Sequence, residues 1–371
     1  MILTVTPNPS LDRTYEVPAL TRGTLHRATA DRVEPGGKGV NVSRAVAAAG
    51  GRTIAVLPLG GAPGALVGEL LGAQGIDVTA VSIAGNTRSN IAVVEPDATL
   101  TKINALGPEL TPTEAALLLD SVRAQAPAAD WIACCGSLPR GLPQEWYADL
   151  IAVAHDAGAR VALDTSGPAL LAALPAGPDL VKPNAAELAE AVGRPLATVG
   201  EAAQAARELR HRGARAVLAS LGAAGQLLVD ATGTYYGYAR VDAVRSVVGA
   251  GDAALAGFLL ATAAPAAGTA APAAGTAAPA AGTAAPAAAT EATAATDADA
   301  VAGTDAGPTG PGPGSDPAAA LASALASALA HGAAAVGLPG SAMPTPADLD
   351  PSAVTVVTPP DDIPADRPLD H

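Results

Sequence analysis

Asp252 stands directly after two closely spaced glycines, in the segment VRSVVGAGDAALAGFLLA of residues 244–261. Glycine lets the backbone come close to a ligand, and the first N–H groups of a following helix attract anions. A carboxylate beside such amides can take a proton from a hydroxyl group while the amides stabilise a transferring phosphoryl group. The segment therefore predicts an apolar strand, a tight turn and a helix, with Asp252 as a candidate base beside an anion hole at the helix start.

Two other interpretations of this segment compete with that prediction. An aspartate in the first turn of a helix is often only a cap for the free N–H groups. The spacing Gly249-x-Gly251-x-x-Ala254 also fits the loose dinucleotide-binding pattern, which requires an acidic residue about 20 positions later on a second strand. A repeat of alanine, proline, glycine and threonine occupies that region here. The dinucleotide interpretation is therefore rejected, whereas the cap stays open on these residues alone.

A second glycine-rich segment, EPGGKGVNVSRAVAAAGG at residues 34–51, surrounds Lys38 with three glycines and runs into an amphipathic helix. It is not a P-loop, because a glycine rather than a serine or threonine follows the lysine. A plain glycine-rich turn is the simplest alternative. Lys38, Asn41 and Arg44 beside flexible backbone are nevertheless suited to binding a polyol or its phosphate.

The elements that must position these segments alternate between short apolar runs and alanine-rich helical stretches, which is typical of a mostly parallel sheet. Buried strands are predicted at the N-terminus and at residues 54–59, 131–135, 160–163, 179–181 and 216–220, with a last strand at 355–358. Helices are predicted at residues 42–49, 62–73, 113–125, 145–157, 185–192, 199–212 and 318–331. Residues 15–17 and 91–104 alternate polar and apolar side chains, as exposed antiparallel strands do, and predict a small second sheet over one face of the first.

Residues 265–317 interrupt this pattern with a seven-residue repeat of the unit APAAGTA. The repeat has no large side chains at heptad core positions, and proline recurs in it, so a polyproline-like or disordered linker is favoured over a coiled coil. We expect a flexible insertion without a catalytic role there, and a flexible tail at residues 359–371.

Charge and composition exclude several classes of function. The 371 residues include 35 acidic and 21 basic side chains, which gives a formal net charge of −14. Nucleic acids and anionic membranes are therefore poor partners, because both bind through lysine and arginine. The longest apolar stretch, residues 253–264, is shorter than the ~20 residues of a membrane span. Cys134 and Cys135 are adjacent and cannot crosslink distant segments, which favours a reducing compartment. We expect a cytoplasmic α/β enzyme.

The two glycine-rich segments resemble the GGKGxN and GAGD signatures of the ribokinase/PfkB-type carbohydrate kinases, in this order and at about this separation. Further family motifs follow the same order: TPNPSLD at 6–12, TRSN at 87–90, GSLP at 136–139, DTSG at 164–167, KPNAAE at 182–187 and SLG at 220–222. The resemblance runs from Met1 to about Pro346, apart from the insertion. It implies a ribokinase-like α/β fold: one kinase domain (residues 1–264 and 318–358) with a Rossmann-like, mostly parallel sheet flanked by helices, and a small β-sheet lid near residues 12–34 and 87–106.

The resemblance also implies a role for individual residues, beginning with Asp252 as the catalytic base and the amides of Gly249, Ala250 and Gly251 as the anion hole. It places the sugar hydroxyls on Asp12, Gly37, Lys38 and Asn41, the sugar phosphate on Arg88, and Ser137 in the same substrate site. It places ATP on Lys182, Asn184, Ser220 and Gly222. Glu187 would orient Mg²⁺ through water. Arg27 matches a lid position that reaches toward the phosphosugar of a neighbouring subunit.

The substrate implied by the resemblance is a phosphosugar. The segments TPNPSLD, TRSN and LPGSAMPTP (residues 338–346) are most similar to the 1-phosphofructokinase branch, which implies ATP-dependent conversion of fructose 1-phosphate to fructose 1,6-bisphosphate. Tagatose 6-phosphate and fructose 6-phosphate stay open as alternatives, as does a sugar-phosphate sensor that binds without transfer. Ala253 and Val247 depart from the family pattern, which usually has serine or threonine after the base and threonine before the glycine turn. The family further implies a homodimer through the lid.

Overall fold

Short apolar strands and alanine-rich helices build one large sheet with helices on both faces. The computed structural model describes residues 1–97, 99–263, 316–357 and 363–369. In those residues the strands are, in chain order, β1 (Ile2–Val5), β2 (Ser10–Glu16), β3 (Ala30–Gly36), β4 (Thr53–Leu59), β5 (Asp77–Ser82), β6 (Arg88–Val94), β7 (Leu100–Ile103), β8 (Trp131–Cys135), β9 (Arg160–Asp164), β10 (Leu180–Val181), β11 (Val217–Ser220), β12 (Gln226–Val229), β13 (Thr234–Ala239) and β14 (Val354–Val356). The helices are α1 (Lys38–Ala48), α2 (Gly61–Ala73), α3 (Pro112–Gln125), α4 (Trp146–Asp156), α5 (Gly167–Ala173), α6 (Ala185–Val192), α7 (Val199–His211), α8 (Ala250–Thr262) and α9 (Pro317–Val336).

The large sheet has the strand order β14-β13-β12-β11-β10-β9-β8-β1-β4-β5. Its strands run parallel from β5 to β11, and β12, β13 and β14 continue it in antiparallel fashion. Helices α1, α8 and α9 bury one face of the sheet, and α3 to α7 bury the other. Parallel strands need cover on both faces, which explains why their side chains are almost continuously apolar. The predicted mostly parallel α/β fold is confirmed.

Most predicted elements lie on observed ones, and the strand at 131–135 and the helix at 185–192 coincide with β8 and α6. The strand predicted just before the GAGD turn is wrong. Residues 243–247 form an irregular segment in which the amides of Arg245 and Ser246 donate to the carbonyl of Val336, at the end of α9. Val244 and Val247 are each 69% exposed, so this valine-rich run is not buried in a sheet. Strands β5, β12 and β13 and helix α5 were not predicted.

A second sheet of four strands, which we call the lid, has the order β3-β2-β6-β7. The small sheet was predicted, but not all of it is antiparallel: β2 pairs with β6 in parallel over the whole length of both strands. The reason is topological, since β2 follows β1 and β6 follows β5. Strands β2 and β6 therefore leave the large sheet from the carboxyl ends of β1 and β5 and run in the same direction.

Part of the C-terminal segment differs from the predicted flexible tail. Residues 363–369, predicted to belong to a flexible tail, contact the start of α7: the amide of Val199 donates to the carbonyl of Arg367, and the amide of Leu369 donates to that of Ala197. Leu369 is only 5% exposed. The predicted insertion at 265–317 lies outside the described residues, except for Asp316 and Pro317.

Helix α9 is the one described helix that is long and apolar enough to cross a membrane, by length and composition alone. The sequence analysis did not identify this helix as long enough to cross a membrane, because it considered residues 253–264 as the longest apolar stretch. Ala324, Leu325, Ala328 and Leu329 are buried in the core layer that also contains α8. This packing is that of a core helix whose hydropathy comes mainly from alanine and leucine.

Candidate active site

A cavity of about 1010 Å³ separates the lid from the carboxyl ends of β1, β8 and β9. Open parallel sheets bind ligands at this edge. Most of the predicted ligands line the cavity: Asp12, Gly37, Lys38, Asn41, Arg88, Ser137, Asn184, Glu187, Gly249 and Asp252. Among the described residues, the predicted Lys182, Ser220, Gly222, Ala250 and Gly251 do not form its wall. The two glycine-rich segments, distant in sequence, thus meet at one site.

Asp252 occupies the first turn of α8 and is 8% exposed. Its Oδ2 accepts a hydrogen bond of 2.8 Å from Nδ2 of Asn41 in α1. Burial, together with the negative charge of Asp164, raises the pKa of Asp252 to about 6. A carboxyl group with such a pKa is ionised at neutral pH and is a stronger base than an ordinary aspartate.

The start of α8 leaves its backbone amides available. Gly249 precedes the helix with φ 79°, a left-handed conformation that favours glycine. No side chain caps the helix. A side chain at Gly249 would also meet Cε of Met343 at 2.9 Å. The predicted anion hole therefore has the backbone geometry that anion binding at a helix N-terminus requires.

Two lysines and two carboxylates form a partly buried group beside this helix start. Nζ of Lys38 lies 2.7 Å from Oδ1 of Asp164 and 3.0 Å from Oε1 of Glu187, and Nζ of Lys182 lies 2.9 Å from Oδ2 of Asp164. The structure thus directs Lys38, expected on the sugar hydroxyls, toward Asp164 and toward Glu187, the residue expected to orient Mg²⁺. Asp164 was not predicted as a site residue, although its position at the end of a buried strand was a usable signal.

Asp12 is held in the lid by two neighbours that were not predicted as ligands. Its Oδ1 accepts hydrogen bonds from Ser10 Oγ (2.6 Å) and Asn90 Nδ2 (2.9 Å). A Cβ at Gly36 would lie 2.3 Å from Oδ2 of Asp12, so the carboxylate fits only because position 36 lacks a side chain. The junction of β3 and α1 therefore sets the position of Asp12.

Arg88 spans the base of the lid. Its Nη1 donates to the carbonyl of Ala105 at 2.8 Å and its Nη2 to that of Asn8 at 3.0 Å. Nε of Arg88, Oδ1 of Asn8 and Oγ1 of Thr6 are buried without a protein partner, and all three residues line the cavity. Buried polar atoms normally have a protein or water partner, so these three atoms make this end of the cavity polar.

Arg44 does not face the cavity as the sequence suggested. Its Nη2 lies 3.3 Å from Oε1 of Glu34 in the lid, and its Nη1 lies 3.1 Å from Oγ of Ser341. Ser341 also donates to Glu34 at 2.7 Å. Arg44 therefore joins the lid to the segment after α9.

The predicted nucleotide residues lie along the next strands of the sheet. Asn184 and Glu187 form a reciprocal cap at the start of α6, so Glu187 is fixed by a backbone amide as well as by Lys38. Ser220 bridges to Asn184, and Gly222 follows with φ 61°. This arrangement extends the site from the cavity toward β11.

A buried carboxylate at an uncapped helix start, on an open α/β sheet under a small second sheet, fits an enzyme that transfers a phosphoryl group to a hydroxyl group. Comparison with known proteins identifies the family: the model described as "pfkB family carbohydrate kinase" matches residues 6–297. The chain belongs to the pfkB family of carbohydrate kinases and is a phosphotransferase that acts on a sugar hydroxyl.

Individual relatives are similar over most of their length. The chain is 40% identical to a 1-phosphofructokinase of Rhodobacter capsulatus over 70% of this chain and 82% of the relative. It is 37% identical to an ATP-dependent 6-phosphofructokinase isozyme 2 of Mycobacterium tuberculosis, over 69% and 76%. The solved structure of phosphofructokinase-2 from Escherichia coli in complex with potassium superposes with a TM-score of 0.74, at 28% identity over 94% of this chain and 96% of that one.

Proposed function

We propose that the chain transfers the γ-phosphoryl group of ATP to fructose 1-phosphate and yields fructose 1,6-bisphosphate. The observation that carries the proposal is the buried Asp252 at an uncapped helix start, facing a cavity that contains unpartnered polar atoms. The name of the Rhodobacter capsulatus relative supports fructose 1-phosphate as the acceptor. The 6-phosphofructokinase among the relatives supports the alternative, fructose 6-phosphate.

In the proposed reaction, Asp252 takes the proton of the attacking hydroxyl group. The amides of Gly249, Ala250 and Gly251 stabilise the negative charge of the transferring phosphoryl group at the start of α8. Asn41 holds the carboxylate of Asp252 through a 2.8 Å hydrogen bond, so the base does not need to reorient before the attack. Ala253 stands where the family pattern usually has serine or threonine. It is fully buried in the core layer that contains α8, so its side chain takes no part in this chemistry.

Substrate recognition is assigned to the lid and the strand ends. Asp12, fixed by Ser10 and Asn90, would accept hydrogen bonds from sugar hydroxyls. Arg88, which lines the cavity, would bind the phosphate of the sugar, together with Ser137, whose Oγ lies 3.4 Å from Nδ2 of Asn8. A guanidinium suits a phosphate because its planar set of N–H donors can bond to two phosphate oxygens at once.

Mg²⁺ is proposed to accompany ATP. Such an ion is commonly held by phosphates, waters and one or two carboxylates. Asp164 and Glu187 both contact the ammonium group of Lys38, which indicates that this position attracts a cation. The described part of the chain contains no group of three or more potential metal ligands. Mg²⁺ would supply charge neutralisation of the phosphates, and Glu187 would orient it through water.

We also propose a homodimer formed through the lid. Leu25 and Ile103 in the lid region are 79% and 62% exposed, and Leu106, just after β7, is 78% exposed. Arg27 lies on the same exposed connection between β2 and β3. Exposed apolar residues on and beside one small sheet are typical of an interface.

The test is ADP release with MgATP and each of fructose 1-phosphate, fructose 6-phosphate and tagatose 6-phosphate, for the wild type and for Asp252→Asn. We expect kcat/KM for fructose 1-phosphate to exceed the others at least about tenfold, and the substitution to lower kcat by about three orders of magnitude or more, as loss of a general base and its electrostatic partner does. Omission of Mg²⁺ should abolish turnover.

Two results would contradict the proposal in different ways. A preference for fructose 6-phosphate or tagatose 6-phosphate would correct the substrate and leave the base intact. Binding of the sugar phosphates without turnover would overturn the kinase activity and favour the sensor.

A further inference from the structure

Arg44 lies on α1, one turn after Asn41, and acceptors from other parts of the chain surround its guanidinium group. Its side chain is only 9% exposed. Its Nη2 donates to Oε1 of Glu34 at 3.3 Å, its Nη1 to Oγ of Ser341 at 3.1 Å, and its Nε to Oε1 of Gln74 at 3.0 Å. A planar guanidinium group that is held at three nitrogen atoms has little freedom to move. The proposed mechanism gives this side chain no role.

The same guanidinium group faces the side chain that holds the proposed base. Nη1 of Arg44 lies 3.5 Å from Oδ1 of Asn41, and Nδ2 of Asn41 donates to Oδ2 of Asp252 at 2.8 Å. A guanidinium group only donates hydrogen bonds, and an ionised carboxylate only accepts them. The amide of Asn41, placed between the two, therefore has one favourable orientation. The reversed amide would turn its N–H groups toward the guanidinium group and its oxygen toward the carboxylate.

Glu34 connects this arrangement to the lid. It lies directly opposite Asp12, the proposed sugar ligand, in the pairing of β3 with β2, and both residues line the cavity. Oε1 of Glu34 also accepts a hydrogen bond of 2.7 Å from Ser341, so the lid and the segment after α9 hold Arg44 together. A change in the position of the lid therefore reaches Asn41 through a single side chain, that of Arg44.

We propose that Arg44 is a positioning residue: it fixes the amide of Asn41 in the orientation that donates to Asp252, and it ties that orientation to the position of the lid through Glu34. This inference rests on the proposed function, because it takes Asp252 as the base. A base that is aligned before the sugar binds does not have to be oriented during the transfer, and a misplacement of about 1 Å can lower a rate about 100-fold.

The composition allows the orientation of this amide to be measured directly. The sequence contains six asparagines: Asn8, Asn41, Asn86, Asn90, Asn104 and Asn184. In protein labelled with ¹⁵N-asparagine, each side-chain amide gives one pair of proton signals, and the pair that disappears in Asn41→Ala belongs to Asn41. A hydrogen bond to a carboxylate moves one proton of the pair downfield and so increases the separation within the pair. We expect Arg44→Met to reduce the separation for Asn41 toward that of the exposed Asn86.

Glu34→Met tests the connection to the lid. It removes the carboxylate that holds Arg44 but leaves Arg44 and Asn41 in place, and it should reduce the same separation. The spectra are recorded without substrates, so a contact between Glu34 and the sugar cannot affect them.

The matched control is Arg194→Met. Arg194 also joins two elements through a carboxylate, because its Nη1 lies 2.9 Å from Oε2 of Glu208. This pair links the end of α6 to α7 and does not line the cavity. The control variant reproduces the loss of an arginine that is paired with a glutamate, but it should leave the Asn41 signals and kcat unchanged.

Kinetics separate a positioning role from a merely structural one. Arg44→Met should lower kcat at least about tenfold, as a misaligned base does, and change KM for ATP less than about twofold. Because Arg44 acts through Asn41 in this proposal, Arg44→Met should add almost nothing to the loss that Asn41→Ala causes alone. Equal factors in the wild type and in the Asn41→Ala background would overturn the inference.

Unchanged Asn41 signals in either Arg44→Met or Glu34→Met would also overturn it. If Arg44→Met fails to fold, as judged by circular dichroism, Glu34→Met decides alone. The side chain of Glu34 is 27% exposed on β3, an edge strand of the lid, so the fold tolerates its substitution more readily.

The two proposals fail in distinguishable ways. If the wild type turns over no sugar phosphate, the proposed function fails, and the amide signals still decide whether Arg44 orients Asn41. If the wild type is active and the Asn41 signals of Arg44→Met match those of the wild type, only this inference fails.

Discussion

At the scale of single residues, the chemistry depends on the different environments of two aspartates. Asp252 has few positive partners in direct contact and is buried near another carboxylate, so its pKa rises to about 6. Burial acts on Asp164 in the same direction, but Lys182 and Lys38 outweigh it and lower the pKa of that carboxyl. Neighbouring carboxyl groups whose pKa values are driven apart in this way commonly have different roles, and we propose a base for Asp252 and a counter-charge to the two lysines for Asp164.

The pKa of Asp252 predicts the pH dependence of activity. Because the base must be ionised in the free enzyme, kcat/KM should be constant above about pH 7 and fall about tenfold per pH unit below about pH 6. Steady-state kinetics between pH 5 and 9 measure this limb, with circular dichroism at each pH as the control for folding. A flat profile down to pH 5 in folded protein would exclude Asp252 as the base.

The same shift has a consequence for stability. A folded-state pKa of about 6 against an ordinary 3.8 means that the fold favours protonated Asp252, so its contribution to stability is present below pH 3.8 and is lost as the pH rises through 6. Asp252→Asn should therefore raise the free energy of unfolding at pH 8, by about 3 kcal/mol at most, and leave it nearly unchanged at pH 4. Denaturant melts at the two pH values measure this. Equal effects at both would contradict a raised pKa.

Motif spacing could predict the residues that act through their own chemistry, such as Asp252 and Asn41, because each lies in a glycine-rich segment. It could not predict Ser10, Asn90 or the contacts of Lys38, because these depend on which strands become neighbours. The hydrogen bond from Asn90 to Asp12 exists only because β2 pairs with β6, in the register that places these two residues side by side. Arg44 shows the same limit, since its partner Ser341 lies 297 residues away in sequence.

At the scale of elements, the junction of β3 and α1 is the most constrained part of the site. Gly36 lies opposite Ser10 in the lid and leaves the space that the Asp12 carboxylate occupies. Its backbone does not adopt the left-handed conformation, so the need for glycine there is purely one of space. A larger residue would displace the carboxylate from Ser10 and Asn90.

Gly36→Ala is therefore expected to raise KM for the sugar phosphate about tenfold or more, with a much smaller effect on KM for ATP, because a displaced ligand loses its alignment with the substrate. Gly72→Ala is the matched control: Gly72 lies in the exposed part of α2 with no atom within 4 Å of an added Cβ. That substitution should stabilise the chain by about 0.5–1 kcal/mol and leave both KM values unchanged. A sugar KM unaffected by Gly36→Ala would contradict the role of Asp12.

The elements themselves could be predicted where apolar periodicity and packing agree, as in β8 and α6. In the valine-rich segment 244–248, sequence pattern and packing disagree. Its β-branched residues favour a strand, but the amides of Arg245 and Ser246 donate to the carbonyl of Val336 at the end of α9, and none of the described strands pairs with this segment. β-Propensity describes side chains that pack on a sheet, and here the tertiary arrangement removes the sheet.

At the scale of the whole molecule, the lid carries much of the exposed apolar surface of the described chain. If it forms the proposed dimer, the wild type should sediment at twice the chain mass, and the double variant Leu25→Ser/Ile103→Ser should sediment as a monomer at the same concentration. Truncation of an apolar residue at the centre of an interface typically costs more than about 1 kcal/mol. Sedimentation velocity over a range of concentrations makes the comparison.

Leu117→Ser provides the control for that experiment. Leu117 is 48% exposed on α3, outside the lid, so its substitution removes a similar apolar group without touching the proposed interface. A monomeric wild type, or equal behaviour of the lid and α3 variants, would contradict assembly through the lid.

The parallel pairing of β2 with β6 also affects how the molecule folds. Between these two strands the chain forms β3, α1, β4, α2 and β5, so the centre of the lid closes only after a long excursion through the large sheet. Loop closure of that length costs entropy before any pairing is gained, and such non-local contacts form slowly. The lid is therefore a late-folding unit that depends on the large sheet as its template. Until that sheet is complete, the edges of β2 and β6 stay open to pairing with other chains.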